Sequence, residues 1–212
     1  MDVVVVGGHG KVAQRTLRLL AERGDRARGL IRDPDQAADL EAVGAEAIVC
    51  DIERKELTEH LAGADAVVFA AGAGAGSGPE RKRTVDFGGA VKAIEAAKEN
   101  GIARYVMVSA IGVTDPESWS DQMRPYYQAK ADADAELERS GLDYTIVRPG
   151  GLSDDPGTGR VEIAPSLGRH ASIARDDVAA VLVEAIGAEN TIGGSFDLLQ
   201  GEAPVAEAVR SL

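Results

Sequence analysis

The sequence holds a single cysteine, Cys50. One thiol closes no intrachain disulfide and builds no cysteine metal cage, so packing rather than cross-linking must hold the chain together. Cys50 ends an apolar run, Ala47-Ile48-Val49-Cys50, and reads as a buried core thiol. Positive charge is also scarce: 23 Lys and Arg stand against 35 Asp and Glu, a formal net charge of −12. That excess repels phosphate backbones and anionic lipid, which sets nucleic-acid and membrane-surface partners aside. No apolar stretch approaches the ~18 residues that a bilayer span needs. No basic n-region or cleavage site precedes the first apolar run, so no secretory leader is expected and the chain is placed in the cytoplasm. The histidines His9, His60 and His170 are scattered, and no His/Asp/Glu group has metal-ligand spacing, so no metal is expected. Aromatics are only 4% of the 212 residues, but 44% are hydrophobic, enough for one sizeable core built mainly from aliphatic side chains.

What is present is alternation. Short β-branched or apolar runs at 3–6, 27–31, 47–50, 66–70, 105–108 and 144–147 read as strands. Between them, apolar residues at helical spacing predict helices over 11–23, 34–43, 54–61, 80–100 and 126–140. Gly24, Gly44, Gly101 and Gly141 are natural stops for them, and Asp33-Pro34 is an N-cap followed by proline at the first helical position. The four valines 3–6 suit a strand buried on both faces of a parallel sheet. This is the pattern of an α/β fold with a doubly wound parallel sheet, the Rossmann fold. The last third is less regular, with a strand over 161–163, a helix over 176–186 and a strand over 196–199. No linker divides the chain, so residues 1–212 are expected to form one dinucleotide-binding domain, with 150–212 supplying a small substrate-side region. The Gly/Ala tract 71–78 lies at the carboxyl end of a strand, where ligands bind in such sheets.

The first strand runs straight into Gly7-Gly8-His9-Gly10-Lys11-Val12-Ala13 and then a helix. Gly7 permits a tight turn, Gly10 lets the backbone approach a pyrophosphate, and Ala13 is small enough for close helix–strand packing. The N–H groups at the helix start, around His9, Lys11 and Val12, face the phosphates. At the end of the second strand, where an acid usually takes the ribose of NAD, stands Arg32. A guanidinium there pairs with a 2′-phosphate and favours NADP(H) over NAD(H). Asp33 is the competing ribose ligand or an N-cap. Asp51, after the third strand, is either an acceptor for an adenine amino group or an N-cap of the next helix.

Tyr126 and Lys130 lie four apart on one helix face. A nearby ammonium favours phenolate, so Lys130 is expected to lower the Tyr126 pKa and let it exchange a proton with a carbonyl or alcohol. Ser109 ends the preceding strand and could hold the substrate oxygen. Trp119 and Met123 precede Tyr126, either as the apolar wall of a substrate lid or in a plain surface loop with one packed aromatic. Arg169 and Arg175 flank the 170 region, where they could reach an anionic substrate, but they are expected to be solvated, as is the acidic face Asp132, Asp134, Glu136 and Glu138.

Together these stretches resemble the short-chain dehydrogenase/reductase superfamily, in its atypical single-domain NAD(P)H-binding branch. The matching segments are Gly7-Gly8-His9-Gly10, Ile31-Arg32-Asp33-Pro34, Cys50-Asp51-Ile52, Ala70-Ala71-Gly72, 84–101, Val108-Ser109-Ala110 and 126–150. The resemblance implies that Tyr126 is the proton donor and that Lys130 also bonds the nicotinamide ribose. It places Ile52 and the Ala70-Ala71-Gly72 backbone against the adenosine, and Pro149, Gly150 and Leu152 along the nicotinamide. The superfamily's fourth active-site residue is an Asn. Asp86 stands at that position here, and an ionised Asp cannot donate as an amide does. Three readings follow: an NADP(H)-dependent oxidoreductase of a small carbonyl or alcohol; an NADPH-binding sensor without turnover; and a sugar-nucleotide epimerase or dehydratase, for which the tail after Pro149 is short. Either a monomer or a homodimer built on helices 80–100 and 126–140 is compatible with the sequence.

Overall fold

The computed structural model describes residues 1–74 and 76–212; Ala75, inside the predicted Gly/Ala loop, lies outside the described residues. The chain runs β1 Asp2–Val6, α1 Lys11–Glu22, β2 Arg26–Ile31, α2 Ala37–Glu41, β3 Glu46–Val49, α3 Thr58–Leu61, β4 Ala66–Phe69 and α4 Pro79–Arg81. It continues α5 Gly89–Glu99, β5 Arg104–Val108, α6 Arg124–Arg139, β6 Asp143–Pro149, β7 Gly151–Ser153, β8 Arg160–Ala164, β9 Ser172–Ala174, α7 Arg175–Gly187, β10 Gly194–Gln200, β11 Ala203–Pro204 and α8 Val205–Arg210.

Among the described residues nine strands form one sheet in the order β11-β8-β10-β6-β5-β4-β1-β2-β3. From β3 to β10 every neighbour is parallel, and the order reverses beside β1, the doubly wound arrangement. The valines of β1 show why. Val3 and Val5 face one core and Val4 and Val6 the other, and all four are fully buried. Successive strand residues point to opposite faces, so only a run that is apolar throughout can sit between two helix layers. One layer contains α1, α7 and α8; the other contains α3, α5 and α6.

The structure departs from the sequence reading in four places. The sheet is not wholly parallel: β8 is antiparallel to β10, and β11 to β8. No helix lies between β6 and β8, and without a crossover helix the strand enters the sheet reversed. The helix expected over 54–61 starts only at Thr58, because the carboxylate of Asp51 accepts from Glu53 N (3.0 Å) and closes a turn first. The helix expected over 34–43 splits into a 3-10 turn, Pro34–Gln36, and α2. The helix expected over 80–100 is interrupted by a π-helical segment, Lys82–Gly88, which widens the turn and drives Val85 and Asp86 inward. Strands β7, β9 and β11 and helix α8 gave no pattern long enough to read. Among the described residues no helix is long and apolar enough to cross a membrane.

Candidate functional site

A cleft of about 1130 Å3 opens over the carboxyl ends of the parallel strands. A smaller hollow of about 370 Å3 continues it past the glycine turn, sharing Gly10 and the 70–73 backbone. Together they run from the outer edge of β2 to the end of β6, across the point where the strand order reverses.

The turn at Gly7 has φ +85°, a region that side chains rarely occupy, and an added Cβ would sit 2.6 Å from Ala71 Cα. The turn is locked by Gly8 N donating to Leu30 O (2.7 Å) and Gly10 N to Gly7 O (2.9 Å). α1 starts at Lys11 with no side-chain cap, so its first-turn N–H groups face the cleft without intrahelical partners. Gly10, Lys11 and Val12 line this opening. The His9 imidazole turns away to Asp39 (2.8 Å), leaving its backbone in the turn, which borders the smaller hollow.

Arg32 leaves the end of β2 exposed, with no hydrogen bond or ion pair among the described residues. It borders the small hollow with Asp51, Ile52 and Arg81, and an adjoining recess of about 670 Å3 with Arg54 and Arg81. Asp33 accepts from Asp35 N (3.0 Å), so its carboxylate caps the 3-10 turn. Asp51 closes a local turn and lines the hollow, but it caps no helix: α3 begins only at Thr58, with Leu57 at its N-cap.

At the other end β5, α6 and β6 bring together Ser109, Tyr126, Lys130, Pro149, Gly150 and Leu152, with Ala70, Ala71 and Gly72 across from them. Ser109 Oγ is buried and has no hydrogen-bond partner among the described residues. Lys130 is buried too. Its Nζ donates to Val108 O (3.1 Å) and Ala71 O (3.5 Å) and lies 3.5 Å from Asp86 Oδ1. Asp86 accepts from Ala73 N through its second oxygen (3.0 Å), tying the loop after β4 to the π segment. The lysine charge is therefore neutralised by Asp86. Burial pushes the Tyr126 phenol well above its ordinary value, and Asp86, Tyr127 and Asp134 push the same way. The expectation that Lys130 lowers the Tyr126 pKa fails first because burial dominates, and second because the Asp86 carboxylate beside the ammonium offsets its field.

Trp119 is the one packed aromatic of an otherwise exposed loop, as the second reading had it. Its indole is buried, donates to Gly112 O (2.8 Å) and stacks on Tyr127 at 5.7 Å; Tyr127 meets the Tyr126 ring edge-on at 5.4 Å. Trp119 thus positions Tyr126 through Tyr127, while Met123 borders the cleft itself.

Asp134 overturns the reading of a solvated acidic face. It is buried, one turn beyond Lys130 on the Tyr126 face, and Arg148 reaches it through Nε (3.1 Å) and Nη2 (3.0 Å). Burial raises its pKa, opposed by the paired Arg148 guanidinium. The i+4 spacing from Lys130 was the available signal. Arg175 is also not free in solvent: it lines the cleft and pairs with Asp154 (2.9 Å), as Lys11 does from the glycine turn (2.5 Å). Arg169 pairs with Glu162.

These features fit a dinucleotide: a turn too tight for a Cβ, uncapped N–H groups beside it, and an orphaned hydroxyl at the far end. The family model of NAD(P)H-binding proteins matches residues 7–189. The chain belongs to that NAD(P)H-binding family. The match runs from the glycine turn through the whole of α7, so it includes both ends of the cleft. An uncharacterized sugar epimerase of Bacillus subtilis, YhfK, is 43% identical over 215 residues, covering all of both chains. A solved structure from Bacillus halodurans, provisionally assigned as an NAD-dependent epimerase/dehydratase, superposes with a TM-score of 0.96 at 42% identity over all of both chains. An anaerobilin reductase of Escherichia coli, ChuY, superposes with a TM-score of 0.79 at 26% identity, covering 94% of this chain and 97% of the other. The Rossmann fold and the membership of an NAD(P)H-binding family with epimerase/dehydratase-like relatives, read from the sequence, are therefore shown.

Proposed function

We propose that the chain is an NADP(H)-dependent oxidoreductase of the short-chain type, acting on a small carbonyl or alcohol. The observation that carries this reading is convergence. Ser109 from the end of β5, and Tyr126 and Lys130 from α6, line one cleft with the glycine turn at its other end. Gly7, His9, Gly10, Lys11 and Val12 would hold the pyrophosphate by backbone N–H groups. Asp51, Ile52 and Ala70–Gly72 would border the adenosine, and Pro149, Gly150 and Leu152 the nicotinamide. Arg32 supports NADP(H). It is unpaired among the described residues and stands beside Arg81, while Asp33 is engaged as a cap.

Pro149, Gly150 and Leu152 would hold a nicotinamide there, whose chemistry would be hydride exchange with the substrate carbon. Ser109, with its hydroxyl free, holds the substrate oxygen. Tyr126 stays protonated at neutral pH, since burial and the neighbouring acids raise its pKa. It is therefore set to give a proton to a carbonyl oxygen, which favours reduction over oxidation. Asp86 fixes Lys130, and Lys130 is left to bond a ribose hydroxyl rather than to activate the phenol.

The same Asp86–Lys130 pair supports a second reading, an NADPH-binding sensor without turnover, because it removes the usual activation of Tyr126. Tyr126→Phe separates the two. With a panel of aldehydes and ketones, the enzyme loses turnover while NADPH affinity stays intact. A sensor shows no Tyr126-dependent turnover on any of them.

A further inference from the structure

We propose that Lys82 is an anion subsite at the substrate end of the cleft, so that the substrate carries a carboxylate set off from its carbonyl by an apolar body. The proposal rests on the oxidoreductase reading of this cleft and names the substrate class it accepts.

Five lining residues carry or can carry positive charge, Lys11, Lys82, Lys130, His170 and Arg175, against the carboxylate of Asp86. Three are already engaged. Lys11 and Arg175 share Asp154, and Lys130 is held by Asp86. Lys82 is different. It opens the π segment, is half-buried, and has no carboxylate within 4.0 Å among the described residues. Its Nζ stands 5.9 Å from the centroid of the Tyr126 ring, a distance at which the ring face attracts the ammonium and helps to hold it over the cleft. A cation left without a counter-ion in a chain with formal charge −12 is a place where the sequence has withheld an acid. Anchoring there sets a substrate carboxylate next to the phenol that donates the proton.

The surroundings select an organic anion rather than a bare one. Ile111, Met123, Pro125 and Leu152 give this end apolar walls. His170 closes it from the loop before β9, its ring packed where a Cβ on Gly112 would come within 3.0 Å. Gly112 has φ +86°, and its carbonyl is pinned by Trp119, so the backbone that makes room for His170 is fixed. A single ammonium on a flexible stem binds a carboxylate as a point charge. The walls then require an unsaturated or aliphatic body between that carboxylate and the carbonyl.

The test compares 4-carboxybenzaldehyde with methyl 4-formylbenzoate, which share the aldehyde and ring and differ in charge. Binding to the protein, with and without NADP+, is read by titration calorimetry, so the result does not depend on turnover. Wild type is expected to bind the carboxylate at least ~10-fold more tightly than the ester. Lys82→Gln should bring that ratio close to one, and Lys82→Arg should restore most of it. An equal affinity for the two probes in wild type, no measurable binding of the carboxylate, or a ratio unchanged in Lys82→Gln would overturn the proposal. Turnover of both probes is then measured with Tyr126→Phe. Loss of the oxidoreductase reading appears there as no Tyr126-dependent reduction, independent of the binding ratio.

Discussion

The two ends of the cleft are built from different materials. The nucleotide end is backbone and short side chains: a turn that excludes any Cβ at Gly7, uncapped N–H groups of α1, and one exposed guanidinium at Arg32. The substrate end is side chains: a stack from Trp119 through Tyr127 to Tyr126, and two buried ion pairs on one face of α6, Lys130–Asp86 and Arg148–Asp134. The difference follows from what each must recognise. Phosphates need only N–H groups and dipoles, which any sequence with small residues at the right places supplies. Proton transfer needs particular titratable groups in a tuned environment. The first end should therefore fail through geometry and the second through electrostatics.

Four substitutions sharpen that contrast. The largest effect belongs to the substrate end: Tyr126→Phe should lower turnover by ~10²–10⁴-fold while leaving the NADPH dissociation constant unchanged, as steady-state rates and calorimetry together would show. At the nucleotide end, Gly7→Ala must adopt a left-handed conformation costing about 1–2 kcal/mol before any clash, and its Cβ meets Ala71 Cα at 2.6 Å. It should lower the thermal midpoint and weaken NADPH and NADH together. Arg32→Gln should act more narrowly. It removes charged hydrogen bonds worth ~1.5–3 kcal/mol, so NADPH weakens ~10–100-fold and NADH keeps its affinity. The smallest effect is a shift rather than a loss. Asp86 raises the Tyr126 pKa, so removing its charge in Asp86→Asn must lower it. The alkaline limb of the pH–rate profile should move to lower pH, and the same shift should vanish from a tyrosinate absorbance titration when Tyr126→Phe is added.

The same division decided what the sequence could tell. The nucleotide end was legible because its signal is local. A four-valine strand, a glycine turn and a helix stand in one uninterrupted stretch, and Arg32 follows at a fixed distance. The alternation of strand and helix gave the parallel part of the sheet for the same reason. The substrate end was legible only as identities. Tyr126, Lys130 and Ser109 could be named, but the effect of Lys130 depends on Asp86, which arrives from 44 residues away through a π-helical widening that no periodicity reveals. Asp134 read as solvated because alternate acids along α6 suggest a wet face, and only Arg148 in β6 shows that one of them is buried. Likewise β7, β9 and β11 are two or three residues long, too short for a period-two pattern, and they exist because neighbouring backbone pairs with them.

The central claim is that the glycine turn and Arg32 together hold NADPH. Side-by-side calorimetric titration of the protein with NADPH and NADH tests it most directly. The account predicts NADPH tighter by at least ~10-fold, about 1.4 kcal/mol. Equal or tighter binding of NADH would contradict the role of Arg32, and binding of neither would leave the fold without the function proposed for it.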